Sequence, residues 1–157
     1  MKIICLNPPF KTEYGRFSRT SRSPAITKSG TIYYPIWLCY AAGVLEDAGH
    51  EVKVIDSCAY GYDLEATLRI VAEFKPEMVV IDTSTPSIYN DVKAGSEIKK
   101  ILPDTFVVLM GTHPTALPEE TLLLSNGTSP PLPPFTKGGE GGFGGLIDAV
   151  VVGEADY

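Results

Sequence analysis

The stretch MVVIDTSTPSIYNDVKAGSEIKKILPDTFVVLM, residues 78–110, holds one full unit of the fold. Met78–Ile81 and Phe106–Met110 are short apolar runs rich in Val and Ile, each bounded by turn residues, as expected of buried strands. Between them, the hydroxyl-rich loop Thr83–Ser87 leads into Val92, Ile98, Ile101 and Leu102, spaced as one face of a helix that closes before Pro103. A strand, a helix and a second strand at this spacing read as a parallel pair joined by a right-handed crossover.

The same grammar extends in both directions. Lys2–Leu6, Glu51–Ile55 and Ala149–Val152 are three more strand-like runs. Ile36, Cys39, Tyr40, Gly43 and Val44 recur at helical spacing, with Gly49 as a stop before His50. Leu64, Leu68, Val71, Ala72 and Phe74 form another helix behind Asp63 as N-cap. Pro114–Leu124 reads as a fourth, shorter helix. The expectation is a single α/β domain over 1–157, flavodoxin-like or Rossmann-like. Its sheet is doubly wound, parallel and five-stranded, in the order 2-1-3-4-5, with strands buried on both faces.

Charge narrows the partners. The net charge of −6 argues against a dedicated nucleic-acid binder. The imbalance is local: residues 1–30 carry six Lys or Arg against one Glu, and residues 31–157 carry seven against eighteen acids. Lys11, Arg16, Arg19, Arg22 and Lys28 alternate with Ser, Thr and Gly without a helical or strand period, so 11–32 reads as a basic loop. It is either a solvated arm or a contact for an anionic cofactor or a second domain. No apolar run suits a secretory signal or a membrane span, which points to a cytoplasmic protein without a transmembrane segment. Cys5, Cys39 and Cys58 suggest neither a disulfide framework nor a zinc ribbon.

Ligands of such sheets bind beyond the carboxyl ends of the strands. That rule nominates Asn7-Pro8-Pro9, Thr83–Ser87, Gly111–Pro114 and Gly153–Asp156, whose glycines let the backbone approach a large ligand and whose hydroxyls offer neutral hydrogen bonds. Asn7-Pro8-Pro9-Phe10 lacks the glycines and amides of a dinucleotide site, and no phosphate-binding P-loop occurs. Asp82 ends a strand as a phosphoacceptor would, but strand 1 offers no carboxylate partner, which favours a loop-capping role. His50 reads as a surface residue. His113 stands at the ligand edge, available for ligand contact, for loop structure or, less readily, for a metal. No catalytic constellation and no metal-ligating set is encoded.

Taken together, these loops resemble the N-terminal B12-binding domain of cobalamin-dependent radical SAM proteins. The resemblance rests on NPPF at 7–10, GRFSRTSRSP at 15–24, YYPIWLCYAAGVLEDAGHEV at 33–52, DTSTPSIYND at 82–91, GTHPTALPEE at 111–120 and VVGEAD at 151–156. It implies cobalamin at the carboxyl edge, contacted by Asn7, Pro8, Pro9, Thr83, Ser84, Thr85, Pro86, Gly111, Thr112, His113, Pro114, Gly153 and Glu154. Thr112 and Ala155 stand where the family commonly has glycine. The D-x-H-x-x-G motif of other B12 carriers is missing, which implies cobalt without a histidine ligand. No C-x-x-x-C-x-x-C is present, so no iron–sulfur cluster or SAM site is expected in this chain. It reads as a domain truncated before a radical SAM barrel, which would be its partner for methyl transfer or related radical chemistry, and as non-catalytic alone. Two alternatives stand beside this one: a fragment that keeps the fold without binding cofactor, and a flavodoxin-like nucleotide or flavin binder.

One segment stands apart. Residues 126–145 hold seven of the 15 glycines and four of the 13 prolines. SPPLPPFTKGGEGGFGG at 129–145 resembles a translated bacterial repeat element, inserted in a connection usually short. The competing reading is a P-x-x-P ligand for a partner.

Overall fold

A computed structural model describes residues 1–11, 16–19, 25–27, 32–125 and 147–153. Strands β1 (Lys2–Asn7), β4 (Glu51–Asp56), β5 (Met78–Thr83), β6 (Phe106–Gly111) and β7 (Ala149–Val150) form one sheet in the order β4-β1-β5-β6-β7. Every pairing is parallel, with Ile3 opposite Val52 and Met78, and Val79 opposite Val107. Taken in sequence among themselves, these five strands have the expected order 2-1-3-4-5.

The pleat divides the apolar residues between two cores. Ile4, Leu6, Val79, Ile81, Val107 and Leu109 meet α3 (Leu64–Phe74), α4 (Ile88–Ile101) and α6 (Pro118–Ser125) on one face. Ile3, Cys5, Val80 and Met110 meet α1 (Ile36–Asp47) on the other. Burial on both faces is why these strands read as continuous apolar runs rather than alternating ones. The expectation fails for β4, where Glu51, Lys53 and Val54 are exposed. It is an edge strand with a single neighbour, so its outer surface lacks cover.

Local chemistry sets the helix limits. Asp63 Oδ1 accepts from Ala66 N at 2.7 Å and caps α3. After α1, His50 N donates to Leu45 O and Gly49 N to Glu46 O, a Schellman closure that requires the left-handed backbone of Gly49, at φ 84°. The single helix expected over 114–124 is two: α5 (Thr112–Ala116) and α6, divided at Leu117. Pro118 forces the residue before it out of the helical region and then opens α6 itself. A short helix that the apolar pattern did not signal, α2 (Ser57–Tyr60), follows β4 behind Asp56 as its cap.

The basic loop expected at 11–32 needs correction. It contains β2 (Arg16–Ser18) and β3 (Ala25–Thr27), paired antiparallel in a second small sheet. Phe17 is buried and stacks on Phe10 with ring centroids 4.2 Å apart. The Gly/Pro window at 126–145 lies outside the described residues. On the α1 side, α1 packs over β1 and β4. Among the described residues, an open apolar groove of about 690 Å³ remains beside it, floored by Val80, Val108 and Met110.

Candidate functional site

Parallel strands bring all their carboxyl ends to one edge, and that edge gathers the expected loops. Gly111 ends β6 at φ 117°, and a Cβ there would collide with the Thr83 carbonyl oxygen and lie 3.0 Å from Asp82 Oδ1. The loops after β5 and β6 therefore abut directly. His113 Nδ1 lies 3.4 Å from Thr85 Oγ1, and Gly153 N donates to Thr115 Oγ1 at 3.2 Å. Asn7 Nδ2 donates to Asp56 Oδ1 at 2.8 Å, joining the ends of β1 and β4. Glu154 lies outside the described residues.

The expected site residues separate into two sets. Thr85, Pro86, Thr112 and Gly153 are exposed at the edge, Gly111 is half-buried, and Asn7, Pro8, Pro9, Thr83, Ser84, His113 and Pro114 are buried. The expectation that the hydroxyls after β5 face a ligand is thus corrected for Thr83 and Ser84. Thr83 Oγ1 donates to Asp91 Oδ2 at 2.7 Å, and Ser84 Oγ lies 2.9 Å from Ser87 Oγ. Those groups order the loop from within.

Thr83 directly, and Ser84 through Ser87, lead to a buried ion pair that sequence reading missed. Arg19 Nη2 donates to Asp91 Oδ1 at 2.6 Å and Nε to Oδ2 at 3.0 Å, with both side chains 0% exposed. Arg19 Nη1 donates to Asn7 Oδ1 at 2.6 Å and to Pro8 O at 2.7 Å. Ser87 Oγ donates to Asp91 Oδ2 at 2.6 Å, and Phe10 and Phe17 lie over the guanidinium. The solvated-arm reading of the basic stretch is therefore wrong for Arg19. Burial pulls its pKa down, but the charge and hydrogen bonds of Asp91, joined by Cys58 and Asp82, together raise it, so it stays charged. A signal was present in the sequence: Asp91 occupies the buried stripe of α4 with Ile88, Gly95 and Ile98, where an acid demands a cation.

Two further titratable groups line the edge. Burial pushes the Asp82 carboxyl up to about 7, with Arg19 opposing the shift and Asp91 adding to it. Asp82 and Arg19 form the polar wall of a cavity of about 40 Å³ beneath Tyr33, Tyr34 and Trp37. Burial lowers the His113 pKa against the opposing effect of Glu120, whose Oε1 is 4.0 Å from Nε2. Among the described residues, no group of three His, Cys, Asp or Glu could hold a metal ion. Among the described residues, the exposed expected positions Thr85, Pro86, Thr112 and Gly153 are uncharged. Such a surface can receive a large ligand with many amide groups, and it offers no acid–base or nucleophilic pair.

Residues 22–128 match the family model described as the B12 binding domain. The chain belongs to the B12-binding domain family. Two curated relatives align with this B12-binding domain. An uncharacterized methyltransferase of Pyrococcus horikoshii is 30% identical over 122 residues, 78% of this chain and 24% of the relative. The anaerobic magnesium-protoporphyrin IX monomethyl ester cyclase of Rubrivivax gelatinosus is 28% identical over 89 residues, 56% of this chain and 16% of the relative. The B12-binding domain thus spans about a quarter or less of the proteins it resembles. No solved structure matches it. No helix among its described residues is long and apolar enough to cross a membrane.

Proposed function

We propose that the carboxyl edge of this B12-binding domain holds cobalamin and presents it to a radical SAM catalytic domain. The family match over 22–128 carries the reading. The chemistry of the edge supports it, because cobalamin is large and its rim is fringed with neutral amides, with its one anionic group at the phosphate of the tail. Thr85 and Thr112 would hydrogen-bond its amide fringe. Pro86 and Gly153 would let the macrocycle lie close to the backbone, with Asn7 and Pro8 shaping the first loop from beneath. When bound, the group would supply a cobalt–carbon centre able to pass on a methyl group or enter radical chemistry. The relative called a methyltransferase makes methyl transfer the leading reaction class. This chain's own residues would bind and orient the cofactor, and the reacting substrate would be selected elsewhere.

Titration of the purified chain with hydroxocobalamin tests this. The expected result is a shift of the corrin absorption bands and co-elution of the cofactor on gel filtration. No spectral change and no co-elution at tens of micromolar would overturn it in favour of a fold retained without cofactor.

A further inference from the structure

The loop Asn7-Pro8-Pro9 presents an unusual problem of support. Pro8 and Pro9 have no backbone N–H, so the loop cannot brace itself with its own amides there. Its carbonyls are instead held by side chains from three other elements. Pro8 O accepts from Arg19 Nη1 and from Cys58 Sγ, at 2.7 and 3.3 Å, and Pro9 O accepts from Asn90 Nδ2 at 2.8 Å. Asp91, the partner of Arg19, accepts from Thr83 Oγ1 and Ser87 Oγ in the loop after β5. One ion pair therefore joins the first edge loop, the second edge loop, α2 and the basic arm.

We propose that Arg19 and Asp91 form a latch that fixes these two edge loops in one arrangement, making both of them positioning residues for the cofactor; this rests on the cobalamin reading above. Its chemistry requires arginine. A planar guanidinium grips both oxygens of Asp91 while a third nitrogen reaches Asn7 and Pro8, whereas a lysine is a single point of charge. Burial makes the latch two-state. If the arm withdrew, Asp91 would remain buried without its cation, a state strongly disfavoured relative to the paired one. Arg19 directly follows β2, a short strand of a separate two-stranded sheet, so the arm delivers the closing group from outside the main sheet. The bonds to Asn7 and Pro8 satisfy the remaining buried guanidinium donors and in doing so tie the first loop to the pair.

The test separates positioning from folding. The double variant R19M/D91N removes both buried charges together, so neither is stranded, while the amide introduced at position 91 can still bond Ser87 and Thr83. Melting temperature, amide exchange and hydroxocobalamin affinity are measured on the 157-residue chain. The expected result is a melting temperature within a few degrees of wild type and unchanged exchange over 78–81. Exchange over 83–91 and 56–62 should be at least tenfold faster, and hydroxocobalamin should bind at least tenfold more weakly. R19K, keeping the charge but losing the fork, should reproduce most of the affinity loss. Unchanged loop exchange and affinity in a folded double variant would overturn the latch. If the wild-type chain binds no hydroxocobalamin, the cobalamin reading fails, and loop exchange alone then decides whether the pair fixes the loops.

Discussion

Asp82, one residue before the end of β5, has its carboxyl enclosed, and its environment favours the protonated form up to about pH 7. Its folded pKa is raised above the ordinary value of 3.8, so the folded state holds the proton more tightly than the unfolded chain does. The sign follows: stability from this group is highest in acid and declines as pH rises between those two values. Asp82→Asn should therefore match wild type near pH 4 and exceed it by roughly 2–4 kcal/mol at pH 8, read from urea unfolding at both pH values. A constant difference across the range would contradict the enclosed-carboxyl account. His113 is set the other way. Its Nδ1 rests beside Thr85, and its Nε2 is enclosed, without a hydrogen-bond partner among the described residues. With Co(II) cobalamin bound, labelling histidine with nitrogen-15 should leave the EPR splitting unchanged, and a change would place a histidine on cobalt. At this scale the sequence was only partly legible. Loop positions could be named because strand ends are predictable, but the direction of each side chain was not. The hydroxyls of Thr83 and Ser87 face inward because Asp91 needs donors, and Ser84 turns in to meet Ser87. That need is visible only once α4 is known to bury Asp91.

Elements were more legible, since apolar runs flanked by turn residues leave few alternatives. The misses have local causes: a proline dividing one helix, an edge strand with one neighbour, and a hairpin too short to show a period. β5 and β6 end in direct backbone contact at Gly111, so this glycine fixes both the close approach and the positive φ. Gly111→Ala should cost roughly 2–4 kcal/mol, measured by urea unfolding, because both a collision and a left-handed alanine must be accommodated. The start of α3 is a milder test. Asp63→Ala removes the cap on Ala66 N and should lower stability by about 1 kcal/mol without altering the sheet. Unchanged stability in that variant would show that the start of α3 is held in some other way.

For the whole molecule, doubly wound topology and chain order were readable because parallel crossovers constrain where each strand can go. The open apolar groove beside α1 was not readable, because its floor residues look like ordinary core in sequence. A surface of that kind should attract apolar dyes. The native chain should enhance ANS fluorescence, and replacing the exposed groove residues Val44 and Val152 by lysine should at least halve the signal with little change in melting temperature. Undiminished fluorescence in that variant would locate the dye elsewhere. The topology also separates the two ends of the sheet. Asp148 N bonds Val107 O, and Lys99 holds the Asp148 carboxylate at 2.7 Å, so Ile147 and Asp148 enter β7 at the end of the sheet remote from the carboxyl edge. A six-residue strand is about 20 Å long. The chain thus rejoins the sheet a full strand length away from the edge where the loops gather.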